Sequence, residues 1–519
     1  MVCAPNRSSL INAAQSFIIR PSASGIAIMT VTDQRPVVWC IGGSDSGGGA
    51  GIQADILTLH DLGCHACTVI TAITAQNSLA VEQVAAVAPE LLSSQGQALL
   101  KDMPPQAIKI GLLCNDGQVD VVIALINQVR ERNDQVRVIW DPVQVATTGA
   151  KMANVSARGC RALLACVDLC TPNSDEAQYL LACVDGEVDS EYLLKTKLLC
   201  TGGHGFSEHA EDRLYTKETH WCYSSIRQQA DNHHGSGCTF GSAIAAVLAL
   251  DYPLHDAVCV AKAYVNTGLA KGYAAGSGAG PLARCGWPAD PQHFPAVRQL
   301  SADADFTLPP EGFAPLGCTA LGLYPVVDSL EWLALLLPLG LNIIQLRIKH
   351  PGAKLAKQIR QAVNMAEPYQ TRLFINDHWQ LAIECGAYGV HLGQEDLDSA
   401  DLSAIYKAGL RLGISTHGYA ELCRAKQFRP SYIALGHVFA TQTKMMPSKP
   451  QGLDRLRRYQ RLAGEIPTVA IGGISQARFA DVVGTGVSGV AVVSAITCAA
   501  DPLAAVNRLK ETYARVNQR

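Results

Sequence analysis

From residue 37 onward, short apolar runs alternate with longer segments whose apolar residues recur at helical spacing, the pattern of strands and helices in a parallel α/β sheet. The first run, 37–41, opens onto Gly42-Gly43-Ser44-Asp45-Ser46-Gly47-Gly48-Gly49, and later runs end at 108–111, 138–141 and 169–173. Each ends in glycine or polar residues, where an open α/β sheet places its ligand crevice. The segment 281–315 carries seven prolines and little periodicity, which predicts an extended, solvated linker. Beyond it come eight strand-like runs, at 321–327, 342–346, 373–375, 389–392, 411–414, 432–435, 468–471 and 489–493. With helical patterns between most of them, they predict a closed (β/α)₈ barrel, whose chemistry sits at the C-terminal ends of its strands. The expected division is an N-terminal extension (1–36), an α/β sheet domain (37–288), a Pro-rich linker (289–318) and a TIM barrel (319–519).

A chain of 519 residues exceeds one ordinary core. Its net charge of -3, with 17% charged residues, offers no basic excess to track a phosphate backbone, so nucleic acid is excluded as an expected partner. The 18 cysteines lie in apolar surroundings and read as reduced core thiols of a cytoplasmic protein. Cys64 and Cys67 form a Cys-x-x-Cys pair, but no second pair completes a zinc site. No apolar stretch reaches the roughly 18–20 residues that span a bilayer, so no membrane partner is expected. Residues 1–36 show mixed polarity without an apolar core, which argues against a targeting peptide and leaves Met29 as an alternative start.

The predicted strand ends of the second half bring a coherent set of side chains to one rim. Gln345, Arg347 and Lys349 follow the second strand, Asn376 and Asp377 the third, Gln394, Glu395 and Asp396 the fourth, and Ser415 and His417 the fifth. Thr441, Thr443 and Lys444 follow the sixth, and Gly472-Gly473 and Val493-Ser494 close the seventh and eighth. Cations neutralise phosphate oxygens, carboxylates hold a hard metal ion, and glycines let backbone N–H groups approach a phosphate. A diphosphate leaving group with bound magnesium demands that mixture.

The motifs Gln345-Leu346-Arg347-Ile348-Lys349, Phe374-Ile375-Asn376-Asp377, Gly389-Val390-His391-Leu392-Gly393-Gln394-Glu395-Asp396 and Ile471-Gly472-Gly473-Ile474 resemble thiamine phosphate synthases. The resemblance implies that Gln345, Arg347, Lys349 and Asn376 bind the pyrimidine diphosphate and that Asp377 and Asp396 hold Mg²⁺. Lys444 would add charge at the diphosphate and Ser415 would lie beside the pyrimidine. Thr441 and Thr443, with the backbone of Gly473, Val493 and Ser494, would receive the thiazole phosphate. Ile348 departs from the family, which commonly has an acidic residue there. Thiazole tautomerases share the fold but lack the set Lys349, Asn376, Asp377 and Lys444.

In the first half, Gly235-Ser236-Gly237-Cys238-Thr239 precedes a helical run. A glycine-flanked helix start aims free N–H groups at an anion and is expected to lower the pKa of Cys238. With 50–55, 69–72, 75–77, 141–143 and 171–173, this region resembles ribokinase-like hydroxymethylpyrimidine and phosphomethylpyrimidine kinases. The resemblance implies ATP-dependent phosphorylation, with Gly43, Asp55 and Gln76 at the pyrimidine, Gly235 and Gly237 at the transferring phosphate, and Cys238 catalytic. Asn173 and Glu176 would order magnesium and phosphate. Thr201 stands where the family has a lysine, Gln144 where it commonly has methionine, and 177–199 is short. A domain that binds the pyrimidine without turnover is therefore the competing expectation. The expected partners are small molecules, and the sequence leaves a homo-oligomer open.

Overall fold

Strand β1 (Val37–Ser44) pairs in parallel with β2 (His65–Gln76) on one side and β4 (Ala107–Ile110) on the other. In this computed structural model the described residues are 35–145, 149, 152–183, 196–203, 205, 207–300, 311–318, 320–349, 352–441 and 448–518. The parallel ladder continues from β4 through β5 (Arg137–Trp140), β6 (Leu169–Cys170) and β7 (Lys197–Cys200). Antiparallel strands flank it: β3 (Val81–Ala86) beside β2, and β8 (His209–Tyr215), β9 (His220–Ile226) and β10 (Ala296–Gln299) beyond β7. The sheet is ribokinase-like, with ten strands in the order β10-β9-β8-β7-β6-β5-β4-β1-β2-β3. Its central strands are mostly buried and apolar, as helices covering both faces require, with Lys109 of β4 a buried exception.

The eight later strands close a parallel TIM barrel. They are β11 (Gly322–Val327), β12 (Ile343–Leu346), β13 (Arg372–Asn376), β14 (Gly389–Leu392), β15 (Arg411–Thr416), β16 (Tyr432–Gly436), β17 (Thr468–Ile471) and β18 (Gly489–Val492). Rings fill the interior: Phe374 meets Tyr432 edge-on at 5.1 Å, and Tyr324 meets Tyr432 at 5.9 Å. Glycines on neighbouring strands make the room. A Cβ on Gly389 would lie 2.5 Å from the Phe374 ring, and one on Gly413 would lie 2.3 Å from that of Tyr432.

The proline-rich segment departs from the expected solvated linker. Pro291–His293 forms a 3₁₀ turn, and β10 adds to the sheet edge with Val297 fully buried. Phe294 stacks on the barrel's Tyr419 at 5.5 Å. Three spaced apolar residues, Trp287, Phe294 and Val297, do this between prolines that need not donate to a ladder. Residues 301–310 and 319, and the extension through residue 34, lie outside the described residues.

Residues 36–519 form one compact unit, and a single apolar core runs from the sheet's helices into the barrel's outer layer. Tyr419 is 1% exposed, its hydroxyl accepting from Trp287 Nε1 at 2.9 Å. The Arg455 and Arg458 guanidinium groups lie 3.7 and 4.1 Å from the ring centres of Tyr252 and Trp287, a favourable cation–π placement. The cysteines among the described residues are all free. Among those residues, no helix is long and apolar enough to cross a membrane.

Candidate active sites

On the barrel rim, Arg347 follows β12 half-buried, its N–H donating to Val327 O at 2.7 Å, and Lys349 stands exposed two residues on. Asn376 ends β13 at 8% exposure, beside His391 in register on β14. Asp377 takes a left-handed backbone, φ 64°, with its N–H donating to His391 O at 2.9 Å. Aspartate is among the few side chains that accept this region readily. Asp396 lies in the short helix Gln394–Ser399 that follows β14. Gly472 and Gly473, φ 99° and 65°, carry the chain past β17, and a Cβ on Gly473 would meet Ala440 O at 2.4 Å. Val493 and Ser494 stand at the end of β18. Thr441 is half-buried, whereas Thr443 and Lys444 lie outside the described residues.

Gln345 does not stand free on the rim. It is 4% exposed, and its Nε2 donates to Tyr324 OH at 3.2 Å inside the barrel. From there Tyr324 OH meets Tyr432 OH at 2.8 Å, Tyr432 OH meets His391 Nδ1 at 2.8 Å, and His391 Nε2 meets Ser415 Oγ at 2.8 Å. Burial, with the nearby Arg347 charge, pushes His391 down to about 3, so the ring is neutral at pH 7. His391 sits inside a quoted motif, yet the sequence reading gave it no role. The available signal was one imidazole in an otherwise apolar strand.

In the sheet, the order reverses at β1, which puts the ligand crevice at the ends of β1 and β4. The β1–β2 register shifts between Gly42 and Gly43, and a Cβ on Gly43 would lie 3.1 Å from Leu112 Cδ2. Asp45 closes the following turn, accepting from Gly47 N at 2.8 Å, Gly49 N at 3.1 Å, Ala50 N at 2.8 Å and His234 Nε2 at 3.0 Å. Burial opposes its charge, but the hydrogen bonds from His234, Ala50 and Gly47 outweigh it and hold the carboxyl below its usual range. The glycine-rich turn is thereby clamped to the loop before helix Ser236–Ala249. A Cβ on Gly235, φ 75°, would fall 2.0 Å from Gly49 O, while Gly237 faces open space. Gln76 ends β2 with its backbone tied to Ser46, its N–H donating to Ser46 Oγ at 2.8 Å.

Two expectations are corrected here. Asp55 is fully buried, accepting from Lys109 Nζ at 3.1 and 3.2 Å and from Ser242 Oγ at 2.6 Å. It is buried on helix Gly51–Asp61 and held by Lys109 and Ser242, not standing open in a ligand crevice. Cys238, half-buried in the first turn of its helix, is not acidified. Burial pushes its thiol up to about 12; Lys109 and a backbone N–H pull it down, but Asp141 and Asp55 add to the rise. Asp141 is itself pushed up to about 6, chiefly by burial, with Lys109 Nζ 3.9 Å from its Oδ2.

Asn173 and Glu176 form a reciprocal capping box. Asn173 Oδ1 accepts from Glu176 N at 2.9 Å, and Glu176 Oε2 accepts from Asn173 N at 2.9 Å. Burial and then Asp141 push Glu176 up to about 8. Thr201 bridges Asn173 through the backbone, its N–H donating to Pro172 O at 2.9 Å. Asp45, His234 and Lys109 carry this site's framework and were not assigned from the sequence.

Residues 45–283 match the phosphomethylpyrimidine kinase family and residues 323–496 the thiamine monophosphate synthase family. The thiamine-phosphate synthase of Photorhabdus laumondii subsp. laumondii is 60% identical over 195 residues, 37% of this chain and 90% of the relative. That of Yersinia pestis is 62% identical over 182 residues, 35% of this chain and 85% of the relative. A phosphomethylpyrimidine kinase structure from Clostridium difficile aligns with 45% of this chain and 98% of its own at 30% identity, TM-score 0.37. With 60% identity across 90% of such a relative, the chain belongs, through its barrel, to the thiamine-phosphate synthase family.

Proposed function

We propose that this chain makes thiamine phosphate from a pyrimidine alcohol, thiazole phosphate and ATP. The sheet domain, taken as residues 37–299, phosphorylates hydroxymethylpyrimidine and its phosphate, and the barrel condenses the resulting diphosphate with thiazole phosphate. The observation that carries the reading is the barrel rim, where Arg347, Asn376, Asp377, Asp396, Ser415 and the Gly472-Gly473 turn all lie at or just past the C-terminal ends of strands.

In the barrel, the bond between the pyrimidine methylene carbon and the diphosphate oxygen breaks, the electron pair leaving with diphosphate. Arg347 and Lys349 meet the charge that develops, and the thiazole nitrogen then captures the carbocation. Ser415, held by neutral His391, orients the pyrimidine. The donor set of Asp377 and Asp396 fits magnesium, which takes hard oxygen ligands and is commonly held by one or two carboxylates plus phosphate and water oxygens. Among the described residues no group of three or more His, Cys, Asp or Glu is gathered for a metal. When bound, the ion stabilises the departing diphosphate.

In the sheet domain, Gly235 and Gly237 present backbone N–H groups to the transferring phosphoryl group at a helix start. The Asp45–His234 pair holds that loop against the β1 turn. Gln76 and Gly43 border the pyrimidine, and Asn173 and Glu176 lie on the ATP side, where they would help order magnesium and phosphate. Incubating the purified chain with pyrimidine alcohol, thiazole phosphate, ATP and magnesium should yield thiamine phosphate. Product only when pyrimidine diphosphate is supplied would leave the sheet domain a binding module.

A further inference from the structure

The barrel helix Tyr419–Gln427 begins without a capping side chain from its own half of the molecule: its N-cap is Gly418, which makes no side-chain bond. The acceptor is Asp256, in the first turn of helix Leu254–Ala270 of the sheet domain. Asp256 is 1% exposed, and its Oδ1 accepts from Ala420 N at 2.9 Å. Its other oxygen fills the space that a side chain at 418 would need, since a Cβ there would lie 2.1 Å from Asp256 Oδ2. Glycine at 418 and aspartate at 256 are therefore complementary, and an ordinary serine or threonine cap has no room while the carboxylate is present.

The helix start is tied to the candidate pyrimidine subsite just before it. Ser415 O accepts from Gln394 Nε2 at 2.7 Å, and Thr416 Oγ1 donates to Ala434 O at 3.1 Å. His417 N donates to Glu421 Oε2 at 2.8 Å, and His417 O accepts from Gln451 Nε2 at 2.9 Å. Glu421 itself rides on the first turn of the capped helix. Fraying of that turn releases His417 and, through it, the strand end that carries Ser415.

We propose that Asp256 is a positioning residue for the barrel's reaction: by capping the helix Tyr419–Gln427 it fixes residues 415–418, so the pyrimidine subsite is complete only with the sheet domain docked. This rests on the reading in which Ser415 faces the pyrimidine.

The test uses the full chain carrying Asp256→Ala, Asp256→Asn, or Asp256→Ala together with Gly418→Ser. Serine is a preferred N-cap and fits once the carboxylate is gone. Asp256→Ala should raise the synthase KM for pyrimidine diphosphate by about tenfold, the upper range for loss of a cap, with kcat changed less than about twofold. Asp256→Asn, which keeps one oxygen acceptor, should fall between, and the double variant should recover most of the KM. Amide exchange at residues 419–422 should accelerate in Asp256→Ala and slow again in the double variant, whatever the barrel catalyses. Unchanged exchange, unchanged KM, or a raised KM that the double variant fails to restore would overturn the positioning role. If Asp256→Ala does not fold, Asp256→Asn and the double variant decide by the same readouts. Wild-type protein that lacks synthase turnover but shows the expected exchange pattern would overturn the barrel reading and leave the capping intact.

Discussion

Lys109 Nζ lies 3.1 and 3.2 Å from the two carboxylate oxygens of Asp55, and both side chains are 1% exposed. A charge left alone in such a place costs more than the pair contributes. Asp55→Ala or Lys109→Met should each destabilise the sheet domain by about 3–5 kcal/mol, whereas replacing both with apolar residues should cost less. Urea unfolding of the three variants checks this. A large rise in the pyrimidine KM of Asp55→Ala, with stability unchanged, would instead put Asp55 back at the substrate.

Cys238→Ala should lower pyrimidine phosphorylation by orders of magnitude and leave the synthase rate on supplied pyrimidine diphosphate intact. With the thiol pushed up to about 12, the thiolate is scarce at pH 7, so a rate that depends on it should still be rising at pH 9. Protonation of Asp141, pushed up to about 6, should impose a separate decline on the acid side. A kinase profile already level at pH 7 would remove Cys238 from the role of base.

Asp377→Asn and Asp396→Asn should each cut synthase turnover by roughly 10²–10³, the usual worth of one preorganised electrostatic group. Half-saturation should move to higher magnesium. Asparagine is the informative replacement at 377 because it also tolerates the φ of 64° found there. Steady-state rates across a magnesium titration test the pair, and wild-type behaviour in both variants would remove the metal assignment.

His391 links protonation to barrel stability. Its pKa is lowered in the folded chain, to about 3 from 6.5, so its contribution is fully present above pH 6.5 and is lost as pH falls toward 3. His391→Gln should flatten the acid dependence of barrel unfolding over that window, measured as denaturation midpoints at successive pH values. Parallel curves for wild type and variant would show that the ring titrates normally.

The barrel was legible almost strand by strand because a strand buried on both faces writes itself as a short apolar run bounded by polar residues. The reading stopped early at β15, whose last residues Ser415 and Thr416 are polar. Strand β10 escaped because four residues between prolines carry too little periodicity, and only its partner β9 gives it meaning. Motif membership located both candidate sites but not the direction of each side chain. Asp55 lies close in sequence to the glycine-rich turn yet bonds to Lys109 and Ser242. The Cys238 shift is set chiefly by burial in the folded chain, and then by Lys109, Asp141 and Asp55, which come from separate parts of the sequence. His391 gains its role from Tyr432 and Ser415, neither of which it neighbours in sequence.

The buried string from Gln345 to Ser415 also has a polarity. The Gln345 amide nitrogen donates to the Tyr324 oxygen, which keeps a second lone pair, so the hydroxyl hydrogens of Tyr324 and Tyr432 run together, either toward His391 Nδ1 or away from it. Neutral His391 carries a single ring hydrogen: on Nε2 it is given to Ser415 Oγ, and on Nδ1 it is given to Tyr432 and leaves Nε2 to accept from Ser415. The tautomer of His391, set from inside the barrel, thus decides whether Ser415 keeps its hydroxyl hydrogen for a ligand or spends it on the ring.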